Sequence, residues 1–245
     1  MLIENRTVIV TGAARGIGAA TARRMVEEGA RVAIVDIDMD EAQQVATEIG
    51  SSAYAFQCDV SQPSAVETLV RDVVKQFGGV DILVNNAGIC PRVSIEEMTE
   101  SLFDKLININ LKSVFFLSRA AAEAMKEHKW GRIVNLSSTG GRVGGIYNAT
   151  VYGATKAGIL AMTKSFARHY APYNILVNAV APGAVETRMM TVLADDTLQG
   201  VINNAPLKRL ADPTEIANTI VFLSSEQASW MTGATLDVNG GTLML

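Results

Sequence analysis

Tyr152 and Lys156 stand four residues apart at the start of a helical pattern, so their side chains rise from one face about one turn apart. A phenol titrates near ~10, and a neighbouring ammonium favours the phenolate, bringing the pair towards acid/base work at neutral pH. Taken alone, Tyr-x3-Lys is common and serves a surface or packing role more often than chemistry. Leu136-Ser137-Ser138 alters the weighing, because it ends a β-rich run and ligands bind at strand carboxyl ends in open α/β sheets. There Ser138 can donate to a substrate oxygen, although Ser137 and Ser138 could equally terminate or cap the strand. His128 and His169 stand alone and no His/Cys cluster has zinc-ligand spacing, so no catalytic metal is expected. Proton transfer to and from a substrate oxygen, with hydrogen bonding as its charge changes, is the chemistry these residue types could support.

A second constellation lies near the N-terminus. Thr11-Gly12-Ala13-Ala14-Arg15-Gly16-Ile17-Gly18 joins the first β-rich run to a helical pattern. Gly12 and Gly16 permit a tight turn and close approach to phosphate, Gly18 permits close helix–strand packing, and the helix N-terminus offers unpaired N–H groups. The spacing is G-x3-G-x-G rather than the commoner G-x-G-x-x-G, so by itself the segment could be a structural turn. Asp36, eighteen residues after Gly18 at the end of the second run, can accept hydrogen bonds from adenosine ribose hydroxyls. Its carboxylate would repel the additional phosphate of NADP, and Ile37 supplies no compensating charge, which predicts NAD over NADP. Arg15 argues the other way if its guanidinium serves a second phosphate; it could equally face solvent or another side chain.

Elements that could position these residues follow from the hydrophobic pattern. Short β-rich runs at Thr7 to Thr11, Arg31 to Val35, Ala53 to Cys58, Ile82 to Asn85, Arg132 to Leu136 and Ile175 to Val180 are separated by helical patterns. Those patterns fall at Gly18 to Glu28, Asp40 to Ile49, Pro63 to Phe77, Ser101 to Met125 and Tyr152 to Tyr170. Consecutive apolar positions within the runs predict a parallel sheet buried on both faces. The pattern loosens from Pro182 to Arg209, Asp212-Pro213-Thr214-Glu215 caps a helix to Ser224, and Thr235 to Val238 forms a final strand. The expected fold class is α/β: one Rossmann-type doubly wound parallel sheet of about seven strands with helices on both faces, in one domain over residues 1–245.

Composition excludes several other classes. Of 245 residues, 49% are hydrophobic and 19% charged, enough for a filled core without staples. A net charge of −4 without basic runs argues against nucleic acid or an anionic membrane as main partner. Cys58 and Cys90 are expected to be small buried hydrophobes in a reducing compartment. The N-terminus lacks a signal-peptide pattern and no segment reaches membrane-span length, so a cytoplasmic location is expected.

These motifs, in this order, resemble the short-chain dehydrogenase/reductase family over nearly the whole chain: TGAARGIG, Asp59-Val60, NNAG at Asn85 to Gly88, Asn110, Ser138, YGATK at Tyr152 to Lys156, and Pro182, Gly183 and Thr187. The resemblance implies that Tyr152 is the acid/base, that Ser138 polarises the substrate oxygen, and that Lys156 lowers the tyrosine pKa and holds the nicotinamide ribose. It further implies that Asn110 maintains a proton-relay water, that Asp59 and Val60 flank the adenine, that Asn86, Ala87 and Gly88 line the cofactor, and that Val185 and Thr187 meet the nicotinamide amide. A small-molecule alcohol or carbonyl substrate and a homotetramer are implied as well. Fourteen positions from Ser138 to Tyr152, slightly more than is commonest in the family, suggest an unusual substrate loop. The expected activity is interconversion of a secondary alcohol and a ketone with NAD(H). A 3-oxoacyl-thioester reductase using NADPH and a non-catalytic dinucleotide sensor are the alternatives.

Overall fold

The computed structural model describes residues 1–245. Its strands are β1 (Thr7–Thr11), β2 (Arg31–Asp36), β3 (Ala53–Gln57), β4 (Ile82–Asn85), β5 (Gly131–Leu136), β6 (Ile175–Pro182) and β7 (Thr235–Val238). Between them lie α1 (Gly16–Glu27), α2 (Met39–Ile49), α3 (Pro63–Phe77), α4 (Glu100–Ile107), α5 (Ser113–Lys126), α6 (Gly140–Val143), α7 (Thr150–Tyr170), α8 (Asp195–Asn204) and α9 (Pro213–Ser224).

The strands are parallel in the order β3-β2-β1-β4-β5-β6-β7. Alternate side chains of each strand enter opposite faces, which is why the strands are apolar at consecutive positions. Val8, Val10, Val32 and Ile34 join a core covered by α1, α2 and α9, whereas Ile9, Ala33, Val35 and Leu83 join one covered by α3, α5 and α7. Connections leave β1 and β4 towards opposite sides of the sheet, so a crevice opens beyond their carboxyl ends. No helix is long and apolar enough to cross a membrane.

Local chemistry sets the ends of several elements. Pro63 opens α3 and Gly78, at φ 87°, closes it in the left-handed conformation. Asp212 and Glu215 form a reciprocal capping box at the start of α9.

Two expectations need correction. The expected helix from Ser101 to Met125 is interrupted by a π-helical turn at Asn108–Lys112, which inserts one wide turn without disturbing the apolar rhythm on either side. The loosened stretch before Arg209 contains α8, a short amphipathic helix whose three apolar residues, Leu198, Val201 and Ile202, are only half-buried.

Candidate active site

A cleft of about 1160 Å³ opens along the carboxyl ends of the strands. Every cofactor and catalytic residue expected from the sequence lines it except Gly18 and Asn110, which lie behind its wall.

The floor of the cleft is the turn between β1 and α1. Gly12 and Gly16 have φ of +62° and +54°, and a Cβ on Gly12 would come within 2.9 Å of the Ala87 Cα. Gly18 serves packing: a Cβ there would lie 2.2 Å from the Gly12 carbonyl oxygen. Arg15, at the N-cap of α1, makes no side-chain cap, so the backbone N–H groups of the first turn are left for an anion. Thr11 and Asn86 hold this turn against β4. The Asn86 amide donates to the Thr11 and Gly12 carbonyls at 2.9 and 3.0 Å. The Thr11 hydroxyl accepts from the Asn86 and Ala87 backbone N–H groups at 3.1 and 3.2 Å. Asn86 thus borders the cleft while its amide group is engaged in shaping the loop.

Asp36 ends β2 half-buried, oriented by the Ala14 N–H at 3.1 Å on one oxygen and the Asp38 N–H at 3.2 Å on the other. Ile37 beside it is 64% exposed. Arg15 turns to other side chains: its Nε lies 3.0 Å from Glu41 and its Nη2 3.7 Å from Asp38. A glycine turn with free N–H groups, with a carboxylate at the end of the second strand beside it, fits a dinucleotide.

At the other end, Tyr152 and Lys156 project from the first turns of α7. Lys156 is buried, and its Nζ donates to the Leu136 carbonyl at 2.6 Å; burial pushes its pKa down to about 8. Tyr152, although it borders the cleft, is desolvated enough that burial pushes its phenol up to about 12, with the Cys90 thiol adding to the rise. A hydrogen bond with Ser138 and the charge of Arg92 pull the other way and do not prevail. Lys156 is not among the groups that shift the Tyr152 phenol in this arrangement. Its Nζ sits 5.6 Å from the Tyr152 ring centre and is committed to Leu136, so desolvation dominates both groups.

Asn110 is fully buried on the π-helical turn. It brackets one residue, accepting from the Ile89 N–H and donating to the Ile89 carbonyl, each at 2.9 Å. A Cβ on Gly88 would lie 3.3 Å from Asn110 Oδ1 and 3.6 Å from Lys156 Nζ, so these three residues converge behind Tyr152. Ser138 Oγ accepts from the Gly140 N–H at 3.1 Å, and the Ser137 hydroxyl donates to the Lys156 carbonyl at 2.8 Å, joining β5 to α7.

The rim above Tyr152 is built differently. Arg92 Nη1 donates to the Ile146 and Tyr147 carbonyls at 3.1 and 3.3 Å, and Val93 N–H donates to the Asn148 carbonyl at 3.0 Å. Tyr147 and Asn148 are consecutive left-handed residues at φ 54° and 59°. Met189, Met190 and Val192 border the cleft here. Cys58 is buried as expected; Cys90 is instead half-buried and borders the cleft, because it follows the NNAG strand end into the crevice. Sequence reasoning missed Glu41, Arg92 and Arg188, whose partners lie far off in the chain.

Residues 12–242 match the family described as Enoyl-(Acyl carrier protein) reductase. Among curated proteins, the chain is 41% identical to the 3-oxoacyl-[acyl-carrier-protein] reductase FabG of Staphylococcus epidermidis, over 98% of this chain and 100% of that protein. It is 39% identical to the enzyme of the same name from Vibrio cholerae over the full length of both. It is also 41% identical to an uncharacterized oxidoreductase of Mycobacterium bovis, over 98% of each chain. The crystal structure of gox2181 superimposes with a TM-score of 0.95 at 36% identity, covering 98% of this chain and 96% of that one. With the seven-stranded parallel sheet and the converging Ser138, Tyr152 and Lys156, these matches establish that the chain belongs to the short-chain dehydrogenase/reductase family of oxidoreductases.

Proposed function

We propose that this enzyme interconverts a secondary alcohol and a ketone using NAD(H). The observation that carries the cofactor choice is Asp36, held by two backbone N–H groups at the ribose end of the cleft, with Arg15 drawn aside to Glu41 and Asp38. Nicotinamide, when bound, supplies or accepts the hydride. Gly12, Gly16 and the first turn of α1 would hold the pyrophosphate. Asp59 and Val60 would flank the adenine, and Gly88, Pro182, Gly183, Val185 and Thr187 would line the nicotinamide end.

In this reading Ser138 hydrogen-bonds the substrate oxygen and Tyr152 gives or takes its proton. A phenol whose pKa is raised by burial keeps its proton at neutral pH and so has one to give in carbonyl reduction. Alcohol oxidation needs a proton acceptor, which Lys156 becomes only above about 8, where it is neutral. Asn110 and Thr155 fix the α7 start relative to Ile89 and so hold the tyrosine in place.

A second reading, reduction of 3-oxoacyl thioesters with NADPH, is favoured by the 39–41% identity to enzymes named for that substrate. The two separate in one experiment. NAD and NADP are each offered with secondary alcohols, polyols and hydroxy acids, and NADH and NADPH with 3-oxoacyl thioesters. Turnover of an alcohol with NAD supports the proposal; thioester reduction confined to NADPH replaces it. Tyr152→Phe is expected to lower kcat by about 10³-fold while NADH affinity, followed by fluorescence, stays nearly unchanged. Undiminished turnover would remove Tyr152 from its role.

A further inference from the structure

Glu41 lies in the first turn of α2, outside every motif the family resemblance calls on. It nevertheless joins three parts of the cleft. One oxygen meets Arg15 Nε of the phosphate loop at 3.0 Å, and the other accepts from Arg188 Nη1, at the start of the segment bearing Met189 and Met190, at 3.1 Å. Asp38 lies 3.7 Å from the same Arg15. Both arginines and Asp36 line the cleft. A guanidinium near the adenosine ribose is the group that accommodates a ribose phosphate, and a carboxylate already paired with it is its direct competitor.

We infer that Glu41 is a specificity-determining residue for the cofactor: by occupying Arg15 and Arg188 together it denies both guanidiniums to a phosphate on the adenosine ribose. This inference rests on the NAD reading above and extends it. Asp36 repels the phosphate by its own charge. Glu41 acts on the two cations that would otherwise attract it, so discrimination is shared between a repelling group and a masking one. Because Arg188 belongs to the segment over the substrate end, the same contact ties that segment to the adenosine side.

The pairs are partly exposed, at 43% for Arg15, 31% for Glu41 and 69% for Arg188, so each stabilises the fold only weakly and removing Glu41 leaves folding intact. The test is direct titration of the protein with NADH and with NADPH, read by nucleotide fluorescence. Wild type, Glu41→Gln and the triple variant Arg15→Gln/Glu41→Gln/Arg188→Gln are compared at low salt. The ratio of NADPH to NADH affinity is expected to rise about tenfold in Glu41→Gln and to fall back in the triple variant, since the gain must pass through the two guanidiniums. An unchanged ratio in Glu41→Gln, or a rise that survives loss of both arginines, overturns the inference while leaving NAD preference standing. Tighter NADPH than NADH binding by wild type overturns the NAD reading itself, and the masking role with it.

Discussion

The two ends of the cleft are held by different means. At the phosphate loop, Thr11, Asn86, Gly12 and Gly18 interlock through hydrogen bonds and contacts so close that a single Cβ would break them. At the substrate rim, two loops meet through the Arg92 guanidinium and one backbone bond, over left-handed residues and apolar side chains open to solvent, such as Ile146 at 60% exposure. In the proposed reading the first end would take the dinucleotide, a ligand common to many chains, and tolerates few residue types. The second would take what is particular to this enzyme and is tied by fewer contacts.

The largest effect is expected between the two ends, at Lys156. Lys156→Met should reduce turnover by about 10³-fold, and should also raise stability at neutral pH by about 1–3 kcal/mol, because it removes a buried cation whose sole acceptor is the Leu136 carbonyl. The sign with pH follows from its depressed pKa. Below about 8 the lysine is charged in both folded and unfolded chains and its burial penalty is complete. From about 8 to 10.5 the unfolded chain holds the proton and the folded chain does not, so wild-type stability rises relative to the variant. Urea denaturation at pH 7 and pH 9.5 measures this, and a constant difference between the two proteins would place the lysine pKa elsewhere.

Asn86→Ala tests the phosphate-loop end. Two carbonyls lose their donor, which is expected to cost about 1–3 kcal/mol of stability and to weaken NADH binding. Loss of stability with unaltered NADH affinity would show that the glycine turn keeps its shape without the amide.

Arg92→Ala tests the rim and should be mildest. Its hydrogen bonds are exposed, so stability should fall by about 0.5–1 kcal/mol, with KM for the substrate raised several-fold and NADH affinity untouched. A matching loss of NADH affinity would erase the distinction between the ends.

The same contrast explains what could be read from the residues alone. β1, β4 and α3 begin and end where the apolar pattern and the opening Pro63 put them, because burial on both faces or a full amphipathic stripe writes itself into the chain. The glycines, Asp36, Ser138, Tyr152 and Lys156 were legible because each chemistry admits few residue types. Glu41 with Arg188 and the Arg92 tether were not, since charged surface residues look alike until the fold brings partners 147 and 54 or 55 positions apart together. Nor was the rise of the Tyr152 pKa, which depends on how much water the finished cavity excludes rather than on the identity of its neighbour four residues on.

The π-helical turn at Asn108–Lys112 has one more consequence. Its wide turn takes in one residue beyond a regular helix and absorbs it locally. Wound regularly, that residue would rotate everything after it by about 100°, and Val114, Leu117, Ala121 and Met125, now in the core, would be carried towards solvent. One widened turn therefore acts as a phase adjuster, letting the segment point Asn110 at Ile89 and still present its greasy side to β4 and β5.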